Sequence, residues 1–326
     1  MYEGELAMLK LILNRIKYLI PMLILISILS FGLLELAPGD PADAYITPLM
    51  SAQDIENIRA NMGLDQPVHV RYMNWLKNTL SGNLGVSYIN HSPVADQVFE
   101  KFSNTVVLVG TSLVISILIA IPLGIFLAVN NNSIVSKLCK GLNYIGLSVP
   151  SFWIGMILIA VLSVQFKIFP SGGMHNIGNN SFSDLVKHLV LPVITLSMYN
   201  IAVFTNSVQS SVSEQLKKQY VITARSKGLS YNKVLYKHVL KNSLTAIITI
   251  LGMSIQKLVT GAFVTEVVFS WPGMGRFMID SIFSRDYPVI MAITMMAALF
   301  LIIGNLIADI LYIVVDPKLR SSKGGF

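Results

Sequence analysis

Long uncharged apolar runs separated by polar segments dominate the pattern of this chain. A run of about 20 apolar residues is long enough to cross a bilayer as an α-helix. The pattern therefore predicts an all-α polytopic membrane protein with six transmembrane helices. These lie at about residues 18–36, 105–129, 142–166, 189–212, 244–268 and 289–315.

Positive charge sets the predicted orientation, because lysine and arginine flanking apolar runs stay on the cytoplasmic side. Lys10, Arg15 and Lys17 precede the first run, and three more cations follow the last. Both termini are thus predicted to be cytoplasmic. The predicted segments are a cytoplasmic N-terminal segment (1–17), the first transmembrane helix (18–36), an extracellular loop (37–104), a transmembrane core (105–315) and a cytoplasmic tail (316–326). Within the core, residues 213–243 form a cytoplasmic loop and residues 269–288 an outer loop.

Composition agrees with a membrane protein. Of the 326 residues, 53% are hydrophobic and only 13% are charged, whereas soluble domains carry about 25% charged residues. The net charge of +7 does not indicate nucleic-acid binding, because much of the basic excess flanks the apolar runs. Cys139 is the single cysteine, so the chain holds no internal disulfide.

The extracellular loop is predicted to contain two short amphipathic helices. Ser51 and Asp54 match a capping box, and apolar residues follow at helical spacing up to Gly63. A second amphipathic stretch covers residues 67–80, where Tyr72, Trp75, Leu76 and Leu80 would share one face. The region is too short to bury the core of a soluble enzyme domain.

A basic island at residues 219–242 interrupts the apolar pattern. Small residues lead to Gly228, which permits a turn that other residues resist. Beyond it, Val234, Leu235, Val239 and Leu240 recur at helical spacing, with Lys233, Lys237 and Lys241 on another face. We expect a helix–turn–helix on the membrane surface that another protein can approach closely. The alternative is an ordinary cytoplasmic loop that only sets topology.

The fourth predicted span is unusually polar, which favours a protein-lined seam or cavity over lipid contact. Its polar residues are Thr195, Ser197, Asn200, Thr205, Asn206, Ser207 and Gln209. In the fifth span, Lys257 needs a partner or water. Glu266 faces the opposite side of that helix, so Asp309 is the candidate partner. Pathway lining is predicted for Asn200, Asn206, Gln209, Lys257 and Glu266. Alternatively, Lys257 and Asp309 join two helices, while Glu266 and Glu35 are interfacial residues with no special role.

No catalytic constellation is found in the sequence. It lacks a Gly-x-x-x-x-Gly-Lys-Ser/Thr loop, a His-Glu-x-x-His pair and a Gly-x-Ser-x-Gly elbow. The five histidines have no metal-ligand spacing. We therefore predict no catalytic residue, no metal site and no cofactor in this chain.

An ordered set of motifs resembles one family, the binding-protein-dependent ABC importer permeases, and within it the first permease subunit of the dipeptide/oligopeptide/nickel group. The motifs are Leu36-Ala-Pro-Gly-Asp-Pro41, Gly82-Asn-Leu-Gly85, Ser148-Val-Pro-Ser-Phe-Trp153, Leu189-Val-Leu-Pro192, Arg225-Ser-Lys-Gly-Leu229, His238-Val-Leu-Lys-Asn242, Glu266-Val-Val-Phe-Ser-Trp-Pro-Gly273, Arg285-Asp-Tyr-Pro288 and residues 305–317. They cover essentially the whole chain after its first residues.

The resemblance implies a type I importer permease in the plasma membrane. Its partners would be a second homologous permease, two ATPase subunits that bind ATP and magnesium, and an extracytoplasmic substrate-binding protein. The ATPase-coupling helix would comprise Thr223, Ala224, Arg225, Ser226, Lys227, Gly228 and Leu229. Two departures stand out: Ile222-Thr223-Ala224 replaces the usual Glu-Ala-Ala, and Asn206 and Gln209 replace arginines before Ser210-Ser211.

The expected function is ATP-driven import of dipeptides or oligopeptides, with this chain forming half of the translocation pathway. A permease for nickel or another small solute of the same family is the alternative. Outside the family, a stand-alone channel or secondary transporter could also have six spans and a lysine–aspartate pair. An intramembrane enzyme is disfavoured, because no nucleophile–base or metal set is present.

Overall fold

The computed structural model describes residues 2–47, 49–243 and 262–315, which fold into helices joined by short loops. Extended pairing in those ranges consists of two isolated bridges, Val86 with Pro93 and Asn176 with Asn179. The helices are α1 (Tyr2–Leu36), α2 (Ala52–Asn61), α3 (Val68–Leu80), α4 (Val94–Val129), α5 (Ile134–Ser148), α6 (Ser151–Leu158), α7 (Phe182–Leu216), α8 (Gln219–Ser226), α9 (Tyr231–Lys233), α10 (Phe263–Val268), α11 (Met274–Phe283) and α12 (Tyr287–Val315). Two π-helical stretches, Ile159–Gln165 and Val234–Val239, continue α6 and α9.

The two predicted amphipathic helices are confirmed as α2 and α3. The capping box is present, since Ser51 Oγ accepts the Asp54 N–H and the Asp54 carboxylate accepts the Ser51 N–H. Helix α3 packs on α1 through Tyr72, whose hydroxyl lies 2.9 Å from Ser27 Oγ. Tyr72, Trp75 and Leu76 of the predicted apolar face are half-buried, whereas Leu80, the last residue of α3, is 80% exposed.

Helices α4 and α7 form the most extensive contact between described helices. Small residues make it possible: a Cβ added at Gly124 would lie 2.6 Å from Val208 Cβ. Ser197 Oγ also donates to the Ser112 carbonyl across the pair, at 3.2 Å. The polar side chains predicted to face protein do so at Thr195, Ser197, Asn200 and Thr205, which are all buried. Both helices extend beyond their predicted spans, because α4 begins at Val94 and α7 at Phe182.

The third predicted span is not one straight helix. Helices α5 and α6, with its π-helical continuation, meet at an angle of 102°. The break falls at Val149, which adopts an extended conformation (φ −88°, ψ 128°) before Pro150. A proline disfavours helical geometry in the residue before it and has no N–H to continue the ladder. Pro150 therefore ends one helix and begins another.

Four described helices are long and apolar enough to cross a membrane: Lys17–Leu36, Val94–Val129, Phe182–Leu216 and Tyr287–Ile307. The bent pair raises the number to five if it counts as one span. Most of the predicted fifth span, including Lys257, lies outside the described residues, as does the side chain of Asp309. The six-span topology, the cytoplasmic termini and the Lys257–Asp309 pair therefore stay predictions.

Three buried apolar clusters follow one another along α4, and the first two also include residues of α7. The first, here called the turn cluster, comprises Val208, Val212, Val221, Ala224, Val234, Leu235 and Val239. The second includes Leu108, Val193 and Trp271, and the third joins Val94 and Val98 to Met274 and Val289. We call the end of the molecule that contains the turn cluster the turn end, and the other the opposite end.

Candidate functional site

The basic island folds as the predicted helix–turn–helix. Helix α8 ends at a turn in which the Gly228 N–H donates to the Arg225 carbonyl and the Leu229 N–H to the Ala224 carbonyl. Gly228 has a φ of +76°, a left-handed conformation that glycine adopts without strain. A Cβ built there would meet no atom within 4 Å, so the turn faces open space.

The residues of the predicted coupling helix divide into two faces. Ala224 is buried against the turn cluster and Leu229 packs partly against it, so these two hold the segment in place. The open face consists of Thr223, Arg225, Ser226, Lys227 and Gly228, all exposed. The exposed face, rather than the whole segment, is what a partner could touch.

Helix α9 and its π-helical continuation support this turn by packing against α8. Val234, Leu235 and Val239 are buried, as their helical spacing predicts. Lys233, Lys237 and Lys241 are exposed on the other side. The π-helical winding between Val234 and Val239 does not follow from the sequence pattern, which shows only that apolar residues recur.

Two contacts between side chains fix the ends of α8. The guanidinium of Arg225 lies over the ring of Tyr231, 5.0 Å from its centroid, across the turn. At the start, Lys218 Nζ is 2.8 Å from the Glu214 carboxylate, and this hydrogen bond raises the pKa of Lys218. Thus Arg225 within the island and Lys218 just before it are each held in place by a neighbouring side chain.

Two of the predicted pathway residues lie together at an open cavity of about 290 Å³ between α5 and α7, near the turn end. We call it the α5–α7 cavity. Its lining consists of Lys140, Tyr144, Asn206, Gln209, Ser210 and Ser213. Asn200 is buried in the helix pair and does not belong to this lining.

The side chain of Glu266 does not face open space. Its side chain is fully buried at the opposite end. One carboxylate oxygen accepts the Thr105 hydroxyl at 2.7 Å, and the other accepts the N–H groups of Gly275 and Arg276 at 2.7 and 3.2 Å. Glu266 was expected to line the pathway or to have no special role. The structure corrects this expectation, because the carboxylate holds the start of α11 against α4. Because Thr105 is far away in sequence, local pattern could not reveal the contact.

Glu35 likewise has a specific role that its position at the end of a span concealed. Its carboxylate pairs with Arg71, and both line a cavity of about 380 Å³ at the opposite end. Tyr88 and Tyr287 also line it. Burial raises the pKa of Tyr88 to about 12, so its hydroxyl stays protonated and remains a hydrogen-bond donor.

Two histidines that look scattered in sequence lie near one carboxylate. The Nδ1 atoms of His175 and His188 are 3.5 and 3.7 Å from Asp184 Oδ2. Asp184 also accepts two hydrogen bonds from Asn176. The loop before α7 brings His175 back to the first turn of that helix, which spacing alone does not show.

The fold defines a multi-pass membrane protein. Residues 120–321 match the family described as binding-protein-dependent transport system inner membrane component, and residues 8–109 match the N-terminal region of such components. The chain belongs to this family and is a permease subunit of a binding-protein-dependent ABC importer, which confirms the resemblance seen in its motifs.

Curated relatives match over nearly their whole length. The chain is 40% identical over 312 residues to the oligopeptide transport system permease protein AppB of Bacillus subtilis, covering 95% of this chain and 98% of the relative. It is 38% identical over 317 residues to a putative peptide permease protein of Brucella suis, covering 96% and 99%. It is 36% identical over 313 residues to the glutathione transport system permease protein GsiC of Escherichia coli, covering 96% and 99%.

Proposed function

We propose that this chain is one of two permease subunits in an ATP-driven importer of dipeptides or oligopeptides. It forms half of the translocation pathway and receives the movement of an ATPase at the exposed face of Thr223, Arg225, Ser226, Lys227 and Gly228. The observation that carries the proposal is this exposed face, which turns at Gly228 and is held in place by packing against the turn cluster.

The peptide class is supported by the relatives, two of which are named for oligopeptide or peptide transport and one for glutathione transport. Glutathione is itself a small peptide-like solute with free carboxylates. A solute of this kind needs hydrogen-bonding groups along its path, and the polar lining of the α5–α7 cavity offers them.

The assembly we propose has a second homologous permease beside this chain, two ATPase subunits at the turn end and a substrate-binding protein at the opposite end. The turn end is then cytoplasmic, the chain has six spans with both termini inside, and the membrane is the plasma membrane. ATP and magnesium bind to the ATPase subunits, and this chain supplies no catalytic group.

The proposed mechanism of coupling follows from the way in which the turn packs against α7 and α4. Val221 and Ala224 of α8 pack against Val208 and Val212 of α7 in the turn cluster, and Ile125 of α4 packs against the same cluster. Packed interiors move as units rather than deform. A displacement of the turn by closing ATPases is therefore passed to the inner ends of α4 and α7, which rock to open the pathway outward.

Replacing Gly228 with valine tests the proposal. A β-branched residue at a φ of +76° is strained by on the order of 1–3 kcal/mol, and its side chain would project into the docking space. We expect ATP-driven uptake by the reconstituted importer to fall at least about tenfold, equivalent to ~1.4 kcal/mol of coupling, while the subunit still reaches the membrane.

Gly178→Val is the matched control, because Gly178 has a φ of +79° and also has nothing within 4 Å of its Cβ, but lies in the loop before α7. Its uptake should stay near that of the unmodified importer. Full uptake and normal ATPase stimulation in the Gly228→Val importer would show that the turn does not receive the movement of the ATPase.

A further inference from the structure

The α5–α7 cavity has an uncompensated positive charge. Lys140 is half-buried in its wall, and its ammonium donates to the side-chain oxygen of Asn131. In the part of the chain that the structure describes, no carboxylate pairs with Lys140 or lines the cavity. The nearby Glu214 is paired with Lys218. A half-buried cation attracts an anion more strongly than one in water, because the surrounding dielectric is lower.

The facing wall presents hydrogen-bonding groups without partners. Asn206, Gln209, Ser210 and Ser213 recur at spacings of three and four residues, so they share one face of α7. Among the hydrogen bonds of the described residues, none involves the side chain of any of the four. Polar side chains of a spanning helix that face a cavity are typical of solute pathways, because their hydrogen-bonding groups are available to a passing solute.

We propose that the α5–α7 cavity is a subsite for the carboxylate end of the transported solute. Lys140 pairs with the carboxylate, and the side-chain amides of Asn206 and Gln209 hydrogen-bond to the adjacent peptide group. The cavity volume of about 290 Å³ lies at the lower limit of about 300 Å³ for pockets that hold small ligands, which is room enough for the end group of a peptide. The identity of the anion as a peptide carboxylate rests on the proposed function.

The first experiment tests the anion preference without using a transported solute. In the assembled importer, Cys139→Ser removes the only native thiol of this chain, and Ser213→Cys places a new one in the cavity wall. Labelling rates are compared for an anionic sulfonatoethyl and a cationic trimethylammonioethyl methanethiosulfonate. We expect Lys140→Gln to lower the anion-to-cation rate ratio about fivefold, as loss of one nearby charge should.

Lys137→Gln is the matched control, because Lys137 lies one turn earlier on α5, is exposed and does not line the cavity. It should leave the ratio almost unchanged. An unchanged ratio in the Lys140→Gln importer, or an equal change in both variants, would overturn the anion site.

The second experiment identifies the anion. Uptake of trialanine and of trialanine amide is measured in proteoliposomes and normalised to the affinity of the binding protein for each. We expect Lys140→Gln to reduce uptake of trialanine about tenfold and to spare the amide, whereas Lys140→Arg retains the preference. Equal losses for both probes would refute the carboxylate subsite.

A lipid phosphate could supply the same negative charge, so the measurement is repeated in vesicles without anionic phospholipid. The proposal requires the effect of Lys140→Gln to persist there, and disappearance would assign the cavity to a lipid headgroup. If the unmodified importer takes up neither probe, the peptide assignment fails, while the labelling ratio still decides whether an anion site exists.

Discussion

Glu266 and Asp286 are both buried carboxylates at the opposite end, and each joins segments that are far apart in sequence. Glu266 holds α11 to α4 through Thr105. Asp286 accepts the Ser87 hydroxyl at 2.5 Å and the Tyr88 N–H at 3.1 Å, so it holds the loop between α3 and α4 to the start of α12. A buried carboxyl group is tolerated at both positions because several donors surround it.

Removing the Glu266 carboxylate should destabilise the subunit strongly. Glu266→Ala leaves the Thr105 hydroxyl and two backbone N–H groups without an acceptor, at about 1–3 kcal/mol for each buried group left unsatisfied. We expect a clearly lower unfolding temperature of the purified complex. Asp280→Ala is the control, since that side chain is 65% exposed; an equally small effect of both changes would contradict the assignment.

Removing the Asp286 carboxylate should loosen the loop between α3 and α4 locally. Asp286→Ala removes two hydrogen bonds to a charged acceptor, each contributing about 1.5–3 kcal/mol. Backbone hydrogen exchange of residues 83–93 should accelerate, while exchange in α8 and α9 stays the same. Asp65→Ala, at an exposed position of the same outer region, should have no such effect, and equal protection in both variants would refute the contact.

The candidate sites were predictable from sequence only where their contacts are local. The turn at Gly228 and the buried spacing of Val234 and Val239 both follow from residues a few positions apart. The environments of Glu266 and Glu35 do not, because Thr105 and Arg71 reach them only through the fold. Local periodicity contains no information about such pairings.

At the scale of the helix, α4 and α7 depend on small residues for their close contact. Gly124 lies against α7, and Val208 of α7 occupies the space that a side chain at this position would fill. Ser112 and Ser197 add a hydrogen bond further along the same contact. Association of helices in membranes relies on such packing, since lipid removes the hydrophobic drive between them.

Gly124→Ala should therefore weaken the α4–α7 contact. The new Cβ would lie 2.6 Å from Val208 Cβ and 2.9 Å from the Thr205 carbonyl oxygen, so a helix must shift, at about 1–3 kcal/mol. We expect less folded subunit in the membrane and a lower unfolding temperature. Gly110→Ala, on the same helix with nothing within 4 Å, should be neutral; equal behaviour of the two variants would show that the contact tolerates extra volume.

Element boundaries show where the sequence pattern is sufficient. The capping box at Ser51 and the apolar spacing of α3 fix short helices locally. Hydropathy gives no start for α4, because the residues between Val94 and Thr105 are too polar to look like part of a span. Pro150 indicates an irregularity, but whether a proline kinks or breaks a helix depends on the surrounding packing.

At the scale of the molecule, the three apolar clusters connect one end to the other through α4 and α7. The turn cluster lies at one end, and the cluster with Val94 and Val289 at the other. Hydrogen bonds to the buried carboxyl groups of Glu266 and Asp286 stabilise the opposite end, whereas the turn end has exposed lysines and the α5–α7 cavity. The two ends are therefore built differently.

The length of α7 has a mechanical implication. Its 35 residues span about 52 Å, well beyond the roughly 30 Å of a hydrocarbon layer. The same helix, which contains Pro192, packs against α8 near its C-terminal end and carries Asp184 in its first turn. If α7 pivots about a point inside the lipid, as the proposed function requires, its two ends move in opposite directions, and a displacement at the turn end is accompanied by one at the opposite end.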